Sequence, residues 1–263
     1  MKKLLFPLTI VLSLIVIVIG YFSYQQRLDA IAEEAHAGGA PVPEETVGNE
    51  ESGDETEEVT STFSDGLVGG YIQETEGLDE LRLTYFGSSS LTSTDGPTWP
   101  ELVTEAVEEV TSPLPVTSVI EDVDTATSET IVNSNSIQAV IDSDPHILFF
   151  ESLTLNDNGE VEPADSIANI EAMLAELQET LPETEIILMP TNPINSTGPY
   201  LNQIDVLNTF AEDLDGVTYV DHWDAWPETD DAELDDYVSE GSPTIEGHES
   251  WAEALLPLLI EGD

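Results

Sequence analysis

The hydrophobic pattern of this chain changes character twice. Leu4 to Phe22 is a continuous uncharged run behind Lys2 and Lys3. Its nineteen residues, at about 1.5 Å rise each, approach the thickness of a bilayer core. Residues 1–24 therefore read as an N-terminal membrane anchor, with the two lysines favouring a cytoplasmic start and an outside body. The alternative is a signal segment cleaved near Ala37, and both readings export the rest of the chain. Residues 25–78 are rich in Glu, Thr, Ser and Gly and poor in apolar positions, the composition of an extended disordered tether. Leu67 to Tyr71 interrupts it with a short apolar stretch able to pack on the domain.

From residue 79 to 263 short apolar runs alternate with helical periodicity. Strands are expected at Leu81–Phe86, Val116–Ile120, Ile147–Phe150, Glu185–Met189 and Val217–Val220. Helices are expected at Trp99–Val110, Ile131–Ile141, Ala164–Leu181, Leu201–Leu214 and Ile245–Ile260. Alternation of this kind specifies parallel βαβ units, hence a three-layer α/β/α sandwich around a five-stranded parallel sheet. Such folds hold ligands beyond the carboxyl ends of their strands. That rule selects the polar loops Gly87–Gly96, Glu151–Gly159, Pro190–Gly198 and Asp221–Pro227.

Charge then removes whole classes of function. Fifty-five acidic residues face four basic ones, a formal net charge of −51, and beyond Arg27 the one permanent cation is Arg82. A nucleic-acid partner is excluded, because phosphates need a basic surface. Adhesion of the domain surface to anionic lipid is excluded on the same ground. With no cysteine there is neither a disulfide nor a thiolate. The Asp157-Asn158-Gly159 turn lacks the full acidic loop and closing Glu of a calcium site. No cofactor and no metal are expected. The even spread of acids suits a bacterial exterior of high salt or high pH, where screening relieves repulsion.

Gly87-Ser88-Ser89-Ser90-Leu91-Thr92 follows the first strand, and a serine there can meet both a base and backbone donors. This segment resembles the first block of the GDSL/SGNH hydrolases, whose serine is the nucleophile; either Ser89 or Ser90 fills that role. Leu155-Asn156-Asp157-Asn158-Gly159 resembles the block whose asparagine completes the oxyanion hole, which implies Asn156 as donor. The run from Gly241 to His248 with Trp251-Ala252 resembles the segment before the family's last helix. Here it departs from the pattern: Ser239 stands in place of the family's Asp and Ser242 in place of its His. Serine is far too weak a base to replace imidazole. His222, in Asp221-His222-Trp223-Asp224, is the favoured substitute, with Asp224 or Asp221 to orient its ring. His248 is the second candidate. Trp223, Trp226 and Tyr200 offer aromatic faces suited to core packing or to sugar rings.

The resemblance implies an exported serine-dependent esterase acting on a carboxylic ester or O-acyl group, with an O-acylated glycan or lipid of the cell envelope as substrate. The alternative is a catalytically degenerate relative that keeps the fold and binds cell-surface glycan. Convergence of the serine loop with the Asp-His-Trp loop decides between them.

Overall fold

A computed structural model describes residues 66–195 and 198–261. The apolar run Leu4–Phe22 and most of the acidic stretch behind it lie outside the described residues. Among the described residues no helix is long and apolar enough to cross a membrane.

The five strands form where β-branched and aromatic residues cluster: β1 (Leu81–Gly87), β2 (Val116–Asp122), β3 (Ile147–Glu151), β4 (Glu185–Met189) and β5 (Thr218–Tyr219). All pair in parallel, in the order β2-β1-β3-β4-β5. The three central strands are buried on both faces, as near-continuous apolar runs require. Leu83, Tyr85, Phe149, Ile187 and Met189 belong to one core, while Phe86, Leu148, Phe150, Ile186 and Leu188 belong to the other. This is the period-two alternation that gives a sheet two covered faces.

The first core is closed by α1 (Leu67–Glu74), α2 (Trp99–Thr111) and the last long helix. The second is closed by α3 (Ser128–Ser134), α4 (Gln138–Ser143), α6 (Pro163–Thr180) and α7 (Pro199–Ala211). Between β3 and α6 lies the single turn α5 (Thr154–Asp157). Past β5 come α8 (Leu234–Tyr237), the hairpin β6 (Val238–Ser239) and β7 (Ser242–Pro243), and α9 (Ile245–Leu256).

Two expectations need correction. The tether does not extend to residue 78. Val68 and Ile72 of α1 are buried in the first core, and Gly66 lies so close to Leu259 that a Cβ there would collide with its carbonyl oxygen. The domain therefore includes α1. The single helix expected over Ile131–Ile141 is two helices, because Asn135 turns left-handed with φ of 59°. Asparagine tolerates that conformation better than most side chains.

The sheet order reverses between β1 and β3, so the crevice at their carboxyl ends is where this topology exposes backbone to a ligand. Register brings the strand ends level: Gly87 opposite Asp122, Phe86 opposite Phe150, and Glu151 opposite Met189.

Candidate functional site

Gly87 ends β1 and its carbonyl accepts the Val123 N–H, which carries the ladder one step past β2. The chain then turns through a short 3-10 segment, Ser89–Leu91, whose start is capped by the Ser88 side chain. This turn separates the two candidate serines. The Ser90 hydroxyl is buried and donates to Asn192 Oδ1 at 2.9 Å. Ser89 is half-exposed and lines a cleft of about 670 Å³, and no hydrogen bond among the described residues engages its hydroxyl.

Across that cleft stand Ser239 and Ser242, one on each strand of the β6–β7 hairpin. Asn192 ties the two walls together: its Oδ1 receives Ser90, and its Nδ2 donates to Gly241 O at 3.2 Å. Tyr200 holds the asparagine's own backbone, donating to Asn192 O at 2.8 Å. No family motif marks Asn192 or Tyr200 as part of this site, although Pro190-Thr191-Asn192-Pro193 signals a rigid turn directly after β4.

Beneath the serine loop the crevice is filled rather than open. Glu151, at the end of β3, is fully buried and accepts the Ser88 N–H at 2.5 Å and the Leu153 N–H at 2.9 Å. The Thr191 hydroxyl donates to it as well. Burial pushes this carboxyl above its ordinary range, while the Ser88 and Thr191 bonds oppose the rise. A Cβ on Gly87 would lie 2.5 Å from its Oε2, so glycine is needed there for close approach. Leu153, which donates back to the same carboxyl, is held left-handed at φ 60°.

The expected base is elsewhere. His222 is buried, and both ring nitrogens are occupied: Nε2–H donates to Pro190 O at 3.0 Å, and Nδ1 accepts Trp226 Nε1–H at 2.9 Å. Its ring stacks on Trp251 with centroids 4.2 Å apart. Burial lowers its pKa to about 3, with the Pro190 bond opposing, so it stays neutral. The structure does not bring it to either serine. Asp221 accepts from Trp223 N–H at 3.1 Å and from Asn208 Nδ2 at 3.4 Å, and Asp224 is exposed; neither orients the imidazole.

His248 is also in the core. Its Nδ1 accepts the Trp99 N–H at 3.3 Å, one of the donors left open at the start of α2. Burial lowers its pKa to about 4. Asn156 is equally committed: its Nδ2 donates to Asp124 O at 3.0 Å and Ala126 O at 2.9 Å, clamping the loop after β2. The neighbouring Asp157 accepts from Ser128 N–H at 2.8 Å and from the Ser128 and Ser166 hydroxyls at 2.6 and 2.5 Å. The segment read as an oxyanion block is thus a latch between α3, α5 and α6. Among the described residues no group of three or more His, Asp or Glu is placed to hold a metal ion.

No protein-family model and no curated protein matches the sequence. Solved structures do. A GDSL-like lipase from Parabacteroides merdae superposes with a TM-score of 0.59 at 12% identity, covering 68% of this chain and 95% of that one. A carbohydrate esterase of family 3 from Talaromyces cellulolyticus gives 0.55 at 17%, covering 67% and 95%. A catalytic mutant of an acetylxylan esterase from Geobacillus stearothermophilus gives 0.54 at 16%, covering 68% and 93%.

The chain has the GDSL/SGNH hydrolase fold. The cleft beside Ser89 brings that residue together with Ser239 and Ser242.

Proposed function

We propose that this chain is a catalytically degenerate SGNH-fold protein whose Ser89 cleft binds an uncharged glycan or its O-acylated form without hydrolysing it. One observation carries the reading: Ser239 and Ser242, which the motif resemblance sets in place of the family's Asp and His, line the Ser89 cleft, while His222 and His248 are held in the core. A serine hydroxyl is deprotonated in attack only when a group of suitable pKa accepts the proton within hydrogen-bond reach. Neither replacement serine is such a group. The cleft wall offers hydroxyls and carboxylates, including Thr92, Asp95, Glu240 and Glu246. Such a surface suits the hydroxyls of a saccharide and repels anions. Two of the similar structures are a carbohydrate esterase and an acetylxylan esterase, which supports a sugar ligand.

A second reading, hydrolysis of a carboxylic ester or O-acyl group, is favoured by the unengaged Ser89 hydroxyl. In that case a carboxylate of the cleft wall, Glu240 or Glu246, has to replace the imidazole. On either reading the domain acts outside the cell, held to the membrane by residues 4–22 or released near Ala37; the apolar run behind Lys2 and Lys3 supports this.

The deciding experiment is p-nitrophenyl acetate turnover by the full chain in molar salt between about pH 7 and 10. The wild type should match buffer, and S239D/S242H should gain turnover that S89A removes. Turnover in the wild type that S89A abolishes would establish the hydrolase instead. Binding is read separately, by titration with acetylated xylo-oligosaccharide that is recovered with its acetyl groups intact.

A further inference from the structure

A second cleft, of about 390 Å³, is bordered by Pro193 of the loop after β4 and shares no residue with the first. Its centre is Trp223. This indole is half-exposed yet fixed: Nε1–H donates to Thr191 O at 2.8 Å, and its ring rests against the buried Tyr200 with centroids 5.6 Å apart. Apolar side chains of Pro193 and Ile204 line the floor beside it. Trp226 also lines the cleft but is spent, being 6% exposed, bonded to His222 and packed edge-on to Trp251. One aromatic surface is therefore presented, a platform rather than a cage.

The rim is predominantly acidic, with Thr229 and Asn208 its uncharged polar members. Asp205, Asp224 and Glu228 are acceptors on the cleft wall. Beside them the half-buried Asn208 donates an amide N–H to the exposed Asp221 and accepts from the Tyr219 hydroxyl. A ligand here has to supply donors to these carboxylates and carry no negative charge, which excludes phosphates, sulfates and uronic acids. It must also present a flat apolar face to Trp223. An ammonium ion meets the first requirement, but its strongest sites enclose it between aromatic faces. A pyranose meets both: hydroxyls around its edge, and a C–H face that stacks on indole.

We propose that the Trp223 cleft is a second saccharide-binding site, taking an uncharged pyranose stacked on the indole with its hydroxyls donated to Asp224, Asp205 and Glu228. Because Trp223 is already immobilised, little side-chain entropy is lost on binding, which suits a shallow site of millimolar affinity. The site does not depend on what happens at Ser89.

The test follows the four indole 15N–1H resonances of the full chain, with that of Trp223 assigned from W223F. Xylotetraose and chitotetraose are titrated in separate arms, and tetramethylammonium in a third. Either saccharide should shift the Trp223 resonance with a Kd on the order of 1 mM, weakened about three-fold or more by D224A; in W223A, which lacks that resonance, isothermal titration calorimetry should show affinity weakened about ten-fold. The Asp224 side chain makes no hydrogen bond among the described residues, so D224A keeps the test valid even where W223A is poorly folded. A Trp223 resonance unmoved by both saccharides, or moved by tetramethylammonium alone, overturns the proposal. The p-nitrophenyl acetate result bears on Ser89 only, so the two can fail independently.

Discussion

Replacing His222 by alanine removes a side chain that the fold uses twice. It strips the acceptor from Trp226 Nε1–H and the donor from Pro190 O, and it empties the space stacked on Trp251. An orphaned buried polar group costs about 1–3 kcal/mol, and an aromatic contact contributes about 0.5–1.5. The expected loss near neutral pH is about 4 kcal/mol. The same residue fixes how that loss changes with pH. Its folded pKa, about 3, lies below the ordinary 6.5, so between these values the unfolded chain binds a proton that the folded chain refuses. His222's contribution is complete above about pH 6.5 and declines as pH falls toward 3. Each unit costs about 1.4 kcal/mol, hence about 3 by pH 4.5. The gap between wild type and H222A should shrink from about 4 to roughly 1 kcal/mol. Titrating carboxylates and His248 are present in both proteins and cancel in the difference. Urea unfolding of the full chain at fixed molar salt, followed by tryptophan fluorescence, measures it. A gap below about 1 kcal/mol at pH 7.5, or one that does not change with pH, would show that the ring is not held neutral in the core.

Four further outcomes are expected. D157A should lower stability by about 3 kcal/mol, because three donors from Ser128 and Ser166 lose their acceptor; chemical denaturation reads it. G247A should destabilise by about 3 kcal/mol, since the added Cβ would collide with Tyr237 O and lie 2.9 Å from Trp226; an unchanged Tm contradicts that packing. E151Q should loosen the Ser88–Leu91 turn, seen as faster amide exchange there while α6 stays protected, because one acceptor oxygen is replaced by a donor facing Ser88 N–H or Leu153 N–H. Raising salt from about 0.1 to 1 M shortens the screening length from about 10 to 3 Å, and Tm should rise with it; a flat or falling profile argues against repulsion among the acids.

Much of this is legible from residue pattern alone. Ile147–Phe150 and Glu185–Met189 are apolar runs too short for helices, and both are central strands. Pro163–Thr180, expected from Ala164, carries Ile170, Met173, Leu174 and Leu177 on its buried side. Other features are hidden for physical reasons. Leu67–Tyr71 is legible as a stretch that packs on the domain, but its helix is not, because the buried apolar side chains are Val68 and Ile72 and two positions do not make a periodic signal. A histidine one residue past a strand end reads the same whether it faces a cleft or the core. What turns His222 inward is a pair of indoles, one reached from four residues on and one from the last helix, and no local spacing reveals the second. Asn156 misleads in a similar way, since a turn of Asn, Asp and Gly is as fit to bind a neighbouring loop's carbonyls as an oxyanion. Ser239 and Ser242 are readable as departures from the motif, and their place beside Ser89 gives those departures their meaning.

That Ser89 stands in a cleft without a base is tested most directly with a fluorophosphonate. The full chain is treated at molar salt and pH 8, and modified peptides are mapped by mass spectrometry. The expected result is no adduct at Ser89 or Ser90 in the wild type and an adduct at Ser89 in S239D/S242H. A stoichiometric adduct on Ser89 of the wild-type protein would contradict it.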